Sequence, residues 1–100
     1  MPALLIINYG DILDQEQLDA YRGPANEILV NDFGGKPTVF TSETLNMGEG
    51  YGSGAHTVAI EYESVEAAQA AYDSEAYQDI LGQRLAATRS GFAIVVPTSS

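Results

Sequence analysis

Two segments constrain this chain more than any others. Ala3-Leu4-Leu5-Ile6-Ile7 and Phe92-Ala93-Ile94-Val95-Val96 are short, rich in apolar and β-branched residues, and do not alternate with polar ones. Runs of this length and composition read as strands. A strand with one wet side reads apolar-in, polar-out, so a strand apolar on both sides needs cover on both sides. Any fold for this sequence must find two layers of cover for its terminal strands.

The remaining elements say how much cover the chain supplies. After the first strand, Tyr9-Gly10-Asp11 reads as a turn, and Asp14 with Gln17 three residues on has the form of a helix start. Leu18, Tyr21, Ala25, Ile28 and Leu29 follow at helical spacing. Within that stripe, Arg22-Gly23-Pro24 predicts a kink or a two-piece helix, because proline cannot donate to the ladder and disfavours helical geometry at the residue before it. Gly34-Gly35 closes the element. Lys36 to Ser42 and His56 to Glu63 are predicted strands, joined by a long loop with Gly48, Gly50, Gly52 and Gly54. Ser64 caps a second helix, and Asp73-Ser74 restarts it as another segment.

The order is β-α-β-β-α-β, an α+β arrangement of ferredoxin-like topology. Right-handed crossovers place both helices on one face of a four-stranded antiparallel sheet. The second face is left bare, and a second copy of the chain is the simplest cover, because symmetric dimers are the commonest oligomers. The chain is therefore expected to be one domain over residues 1–100 that pairs as a homodimer.

Composition narrows function mainly by exclusion. Four Lys+Arg against fourteen Asp+Glu give a net charge of −10. Nucleic-acid binding depends on basic residues that neutralise phosphates, and an anionic membrane surface would be repelled for the same reason, so neither partner is expected. No cysteine is present, which removes disulfides, thiolate nucleophiles and zinc–thiolate sites. The N-terminal segment has no basic stretch and is too short to span a bilayer, so a cytoplasmic protein is expected.

The candidate chemistry is sparse. His56 is the only histidine; as a catalytic group it would give or take a proton, and otherwise it is one more polar residue at a strand edge. One histidine builds neither a zinc site nor a two-histidine iron centre, so no metal or cofactor is expected. Arg84 offers a guanidinium for a ligand carboxylate, unless ordinary ion pairing uses it. Tyr21 and Tyr77 lie on the helical stripes, as core filler or as the wall of a pocket between helices and sheet. Ser74 at the helix break either points into that pocket or caps the helix. The glycine series lacks the spacing and lysine of a phosphate loop; it is a flexible hairpin or a lid with Tyr51 at its tip. No hydrolase triad and no glycosidase carboxylate pair is evident.

The run Ile60-Glu61-Tyr62-Glu63-Ser64-Val65-Glu66-Ala67-Ala68, with Tyr72-Asp73-Ser74-Glu75-Ala76-Tyr77-Gln78 and Arg84 after it, resembles the family called domain of unknown function 1330. The Tyr21 region, Gly34-Gly35-Lys36 and the closing strand also fit, so the likeness covers nearly the whole chain. The resemblance implies a dimeric α/β barrel, in which two ferredoxin-like sheets face each other. It implies no reaction, because relatives include cofactor-free monooxygenases, isomerases, haem proteins and non-catalytic members. The sequence departs from the pattern in its longer glycine-rich loop and in His56, where relatives carry a basic residue.

The expectation taken forward is a small homodimer that binds a small, partly apolar molecule between helices and sheet, with scope for cofactor-free catalysis. The alternative is a non-catalytic dimerisation or protein-binding module.

Overall fold

The computed structural model describes residues 1–50 and 52–99. Its elements are β1 (Ala3–Asn8), β2 (Asp11–Ile12), α1 (Gln15–Asn26), a π-helical turn (Glu27–Asp32), β3 (Lys36–Thr41), β4 (Thr57–Tyr62), α2 (Val65–Asp73), α3 (Glu75–Ala87), β5 (Thr88–Arg89) and β6 (Phe92–Pro97). Four strands form one antiparallel sheet in the order β3-β4-β1-β6, the expected split arrangement. The two-residue strands β2 and β5, absent from the sequence reading, pair at one corner.

Register explains which side chains go inward. Leu5 pairs with Ile60 and Val95, and Ile7 with Val58 and Ala93, so these residues share one face. On that face Leu5, Ile7 and Ile60 pack with Leu18, Tyr21, Leu29, Ala68, Ala71 and Tyr77 of the helical layer as the core. The opposite face carries Leu4 and Ile6, with Val96 and Ile94 beside them in register. Ile94 is 45% exposed and Val96 37%, and no element among the described residues lies over them. The molecule measures 33 × 30 × 17 Å, its thin dimension fitting one sheet and one helical layer. The bare face foreseen from the two terminal strands is there.

Capping follows the sequence. Asp14 accepts from the Gln17 amide, Ser64 from the Ala67 amide and Ser74 from the Tyr77 amide, each satisfying a donor that a helix start leaves free. Around the expected break at Pro24, α1 keeps its helical assignment to Asn26 and gives way to the π-helical turn at Glu27, three residues after the proline. Leu18 and Tyr21 before the proline and Ala25, Ile28 and Leu29 after it join the same core, so burial holds one axis across the missing donor. The irregularity falls later, in the π-helical turn, where the Phe33 amide reaches back five residues to the Ile28 carbonyl. The Leu29 carbonyl then accepts from both the Tyr62 hydroxyl and the Gly35 amide. Gly35 fits because a Cβ there would strike Ile60 and lie 2.6 Å from the Leu29 carbonyl oxygen.

The glycine-rich loop is tied down. Asn46 donates to the carbonyls of Gly52 and Ser53 and accepts from the Gly48 amide. Ser53 donates its amide to Asp11 and its hydroxyl to the Gly10 carbonyl. That amide first, with Arg89 behind it, holds the Asp11 carboxyl below the usual carboxylate range. The loop tip at Tyr51, foreseen as part of a lid, lies outside the described residues.

Candidate functional site

Between α1 with its π-helical turn and the β3 side of the sheet lies a cleft with about 460 Å³ of empty space, its open mouth included. Ile7, Val58 and Ile60 form its floor, Tyr21, Ala25 and Leu29 its helical wall, and Val39 and Phe40 its outer edge. The π turn contributes directly, since Leu29 and Val30 both line the cleft. At the mouth the Arg22 guanidinium lies 4.8 Å from the centre of the Phe40 ring and 3.7 Å from the Asp19 carboxylate.

His56 stands one aromatic layer behind this cleft. Its ring stacks on Tyr9 at 4.6 Å between centroids and meets Phe40 edge-on at 5.1 Å, and both of those residues line the cleft. Nδ1 is 2.8 Å from the Ser42 hydroxyl, whereas Nε2 is buried with no hydrogen-bond partner. If Nδ1–H donates to Ser42, Nε2 is a bare acceptor; if Ser42 donates, Nε2 carries the proton. In either tautomer one ring nitrogen remains uncommitted. Burial first, and the Arg22 charge second, push the imidazole below its ordinary pKa, so it is neutral at physiological pH.

That direction fixes a pH dependence. With the folded-state pKa depressed, the unfolded chain takes the proton first as pH drops below about 6.5, and stability falls with it. Urea midpoints at about pH 7.5 and 5.5 should therefore differ more for wild type than for His56→Asn. Equal differences would mean that His56 titrates as it does in the unfolded chain.

Tyr21 and Tyr77 do come together. Their hydroxyls are 2.5 Å apart across 56 residues of chain, and both side chains are almost fully buried. Burial drives the pKa of each upward, Tyr77 being partly restrained by the nearby Arg84 charge. Tyr62 is pushed up to about 12, again mainly by burial. Tyr21→Phe alone should cost on the order of 1–3 kcal/mol by stranding the Tyr77 hydroxyl, and Tyr77→Phe likewise. The double variant should cost less than the sum of the two, as read from urea unfolding. Strict additivity would show that the pair is not coupled.

The other two expected site residues sit elsewhere. Ser74 is committed to the helix break: its hydroxyl donates to the Ala71 carbonyl and accepts from the Tyr77 amide, and it lines neither the α1 cleft nor the cavity beside α3 described below. Arg84 is buried on α3 but lines that separate cavity, on the β6 side. Sequence reasoning missed Tyr9, Arg22 and Phe40. The Tyr9-Gly10-Asp11 turn signal hid the first, and only cross-strand register brings the third to His56. Among the described residues no three His, Cys, Asp or Glu side chains gather as a metal site, and no helix is long and apolar enough to cross a membrane.

Together these features define an α+β protein of ferredoxin-like fold with an apolar cleft under its first helix. The chain belongs to the family described as a domain of unknown function (DUF1330), whose model matches residues 2–97. No curated protein matches it. Its fold is similar to that of a dimeric ferredoxin-like protein of unknown function from Jannaschia sp. CCS1, with a TM-score of 0.74 at 8% identity over 98% of this chain and 100% of that one. A protein of unknown function from Rhodopseudomonas palustris aligns with a TM-score of 0.71 at 18% identity, over 99% of this chain and 84% of that one. An antibiotic biosynthesis monooxygenase aligns over the whole of both chains with a TM-score of 0.57 at 12% identity.

Proposed function

We propose that this protein is a cytoplasmic homodimer that binds a small, partly apolar molecule in the cleft beneath α1, with His56 as the group that gives or takes a proton. One observation carries the reading: a neutral histidine with an uncommitted, buried Nε2 stands behind Tyr9 and Phe40, the aromatic walls of an otherwise apolar cleft. An apolar pocket with few convergent polar groups and a perturbed titratable residue is the usual form of a ligand site. Chemistry at such a site would be proton transfer to or from a bound organic molecule, without need of a cofactor, once the exposed Phe40 ring swings aside and lets the ligand come within hydrogen-bond reach of His56. Tyr21 supplies the helical wall, and Tyr77 holds it in place through their paired hydroxyls.

Homodimerisation rests on the bare apolar face bearing Leu4, Ile6, Ile94 and Val96, and on structural neighbours that are themselves described as dimeric. The competing reading is a non-catalytic dimerisation or protein-binding module. It draws on the mutual satisfaction of the Tyr21 and Tyr77 hydroxyls, which need no ligand.

A thermal-shift screen of small aromatic and aliphatic compounds separates the two. The ligand reading expects at least one compound class to raise the melting temperature of wild type. Asn26→Trp, which fills the cleft from its exposed mouth, should abolish that rise. His56→Ala should weaken the rise without removing it. A screen in which nothing stabilises wild type leaves only the module.

A further inference from the structure

Arg84 is 4% exposed, yet no carboxylate among the described residues pairs with it. The ion pairs among the described residues are Arg22–Asp19 and Arg89–Asp11, and the Arg84 Nε has no hydrogen-bond partner. Scarcity is not the reason, since the chain carries fourteen acids. The groups whose electrostatics Arg84 perturbs are the phenols of Tyr9, Tyr21 and Tyr77, which burial keeps protonated and neutral. A buried cation among neutral groups is costly unless an anion offsets it.

The small exposed part of Arg84 opens on a cavity of about 640 Å³, open mouth included, between α3 and β6. No acidic residue lines it, and no residue is shared with the α1 cleft. Tyr72 and Leu85 give it apolar walls, and Thr88 and Ser90 also line it. Thr88 is fixed in place by donating to the Arg84 carbonyl, and Ser90 holds a left-handed backbone with φ 64°.

We infer that this cavity is a second ligand site, which takes a small monocarboxylate with its charge on Arg84 and its apolar body against Tyr72 and Leu85. Guanidinium and carboxylate match in shape and charge. A single cation in a chain of net charge −10 favours a singly charged ligand over phosphate or a polyanion. The apolar part of the lining, Tyr72, Leu85 and Ala93, gives a short hydrocarbon or aromatic body a surface that a bare inorganic anion cannot use.

Benzoate is the probe, at ionic strength held constant with chloride, with inorganic phosphate alongside. Benzoate should raise the melting temperature of wild type saturably, and phosphate should do so much less. Arg84→Met should abolish the benzoate shift, whereas Asn26→Trp, in the other cleft, should leave it intact. Leu85→Glu is the safeguard if Arg84→Met does not fold: Leu85 is 60% exposed, and a glutamate there would neutralise Arg84 from within and weaken benzoate at least tenfold. The inference is overturned if wild type ignores benzoate, if the shift survives Leu85→Glu or Arg84→Met, or if phosphate matches benzoate. Loss of the shift in Asn26→Trp would also overturn it, by moving benzoate to the α1 cleft.

Discussion

Ile94→Asp is expected to convert the protein from a particle of twice 10.6 kDa to one of 10.6 kDa in light scattering at micromolar concentration. Ile94 lies on the uncovered sheet face beside Ile6, and 45% of it reaches solvent in the isolated chain. In a dimer built on that face the side chain is sealed against the partner's sheet. A carboxylate there has no cation beside it, since none of the four Lys and Arg lies in β1 or β6 and Lys36, the one on this face, stands in β3 at the far edge of the sheet. Taking an unpaired charge out of water costs several kcal/mol, and two-fold symmetry incurs that cost twice. At about 1.4 kcal/mol per decade, the dissociation constant should rise about 1,000-fold or more. The monomer itself should tolerate the change, because position 94 is already half in water; the far-ultraviolet circular dichroism spectrum should be unaltered. A variant that keeps the doubled mass would place the interface elsewhere. Wild type at 10.6 kDa would remove the dimer altogether.

Gly10→Ala should lose about 3 kcal/mol or more in urea unfolding, although it adds a single methyl group. Gly10 has φ 65°, where an L side chain costs roughly 1–2 kcal/mol by itself. The added Cβ would also collide with the Arg89 carbonyl oxygen and lie 2.6 Å from the Gly91 amide nitrogen. These neighbours are backbone and cannot swing aside. At this corner the chain leaving β1 crosses the chain entering β6, and Gly91 faces the Asn8 carbonyl just as closely from the other side. Because Tyr9 is the adjoining residue, a displaced corner should also disturb the ring stacked on His56. Gly82→Ala is the matched control. Gly82 lies within α3 with nothing inside 4 Å of its would-be Cβ, so the same methyl should stabilise by roughly 0.5–1 kcal/mol. A loss below about 1 kcal/mol at position 10 would mean that the corner relaxes easily.

The residues that could be read correctly are those whose environment is set by near neighbours in the chain. Asp14, Ser64 and Ser74 cap helices because a side-chain oxygen need reach only an amide three residues on. Val58, Ile60 and Tyr62 face the helices because strand periodicity is two. The residues misplaced or overlooked depend on packing between elements. The helical segment continues past Pro24 and changes to a π turn only at Glu27, because the apolar residues on both sides of the proline share one core, a fact invisible to local propensity. Which cavity Arg84 lines is not legible in the sequence, because a helix has two flanks and only the docked position of α3 decides which flank meets which cavity.

From its sequence alone this chain has its β-α-β-β-α-β order, its caps and its surplus of apolar strand surface, because hydrophobic period, capping and turn chemistry act over a few residues. Tertiary structure alone joins the Tyr21 and Tyr77 hydroxyls, sets His56 between Tyr9 and Phe40, and leaves Arg84 without a carboxylate among the described residues. Those relations depend on ångström-scale distances between elements far apart in the chain. Such distances follow from how whole side-chain surfaces interlock, and no local pattern encodes them.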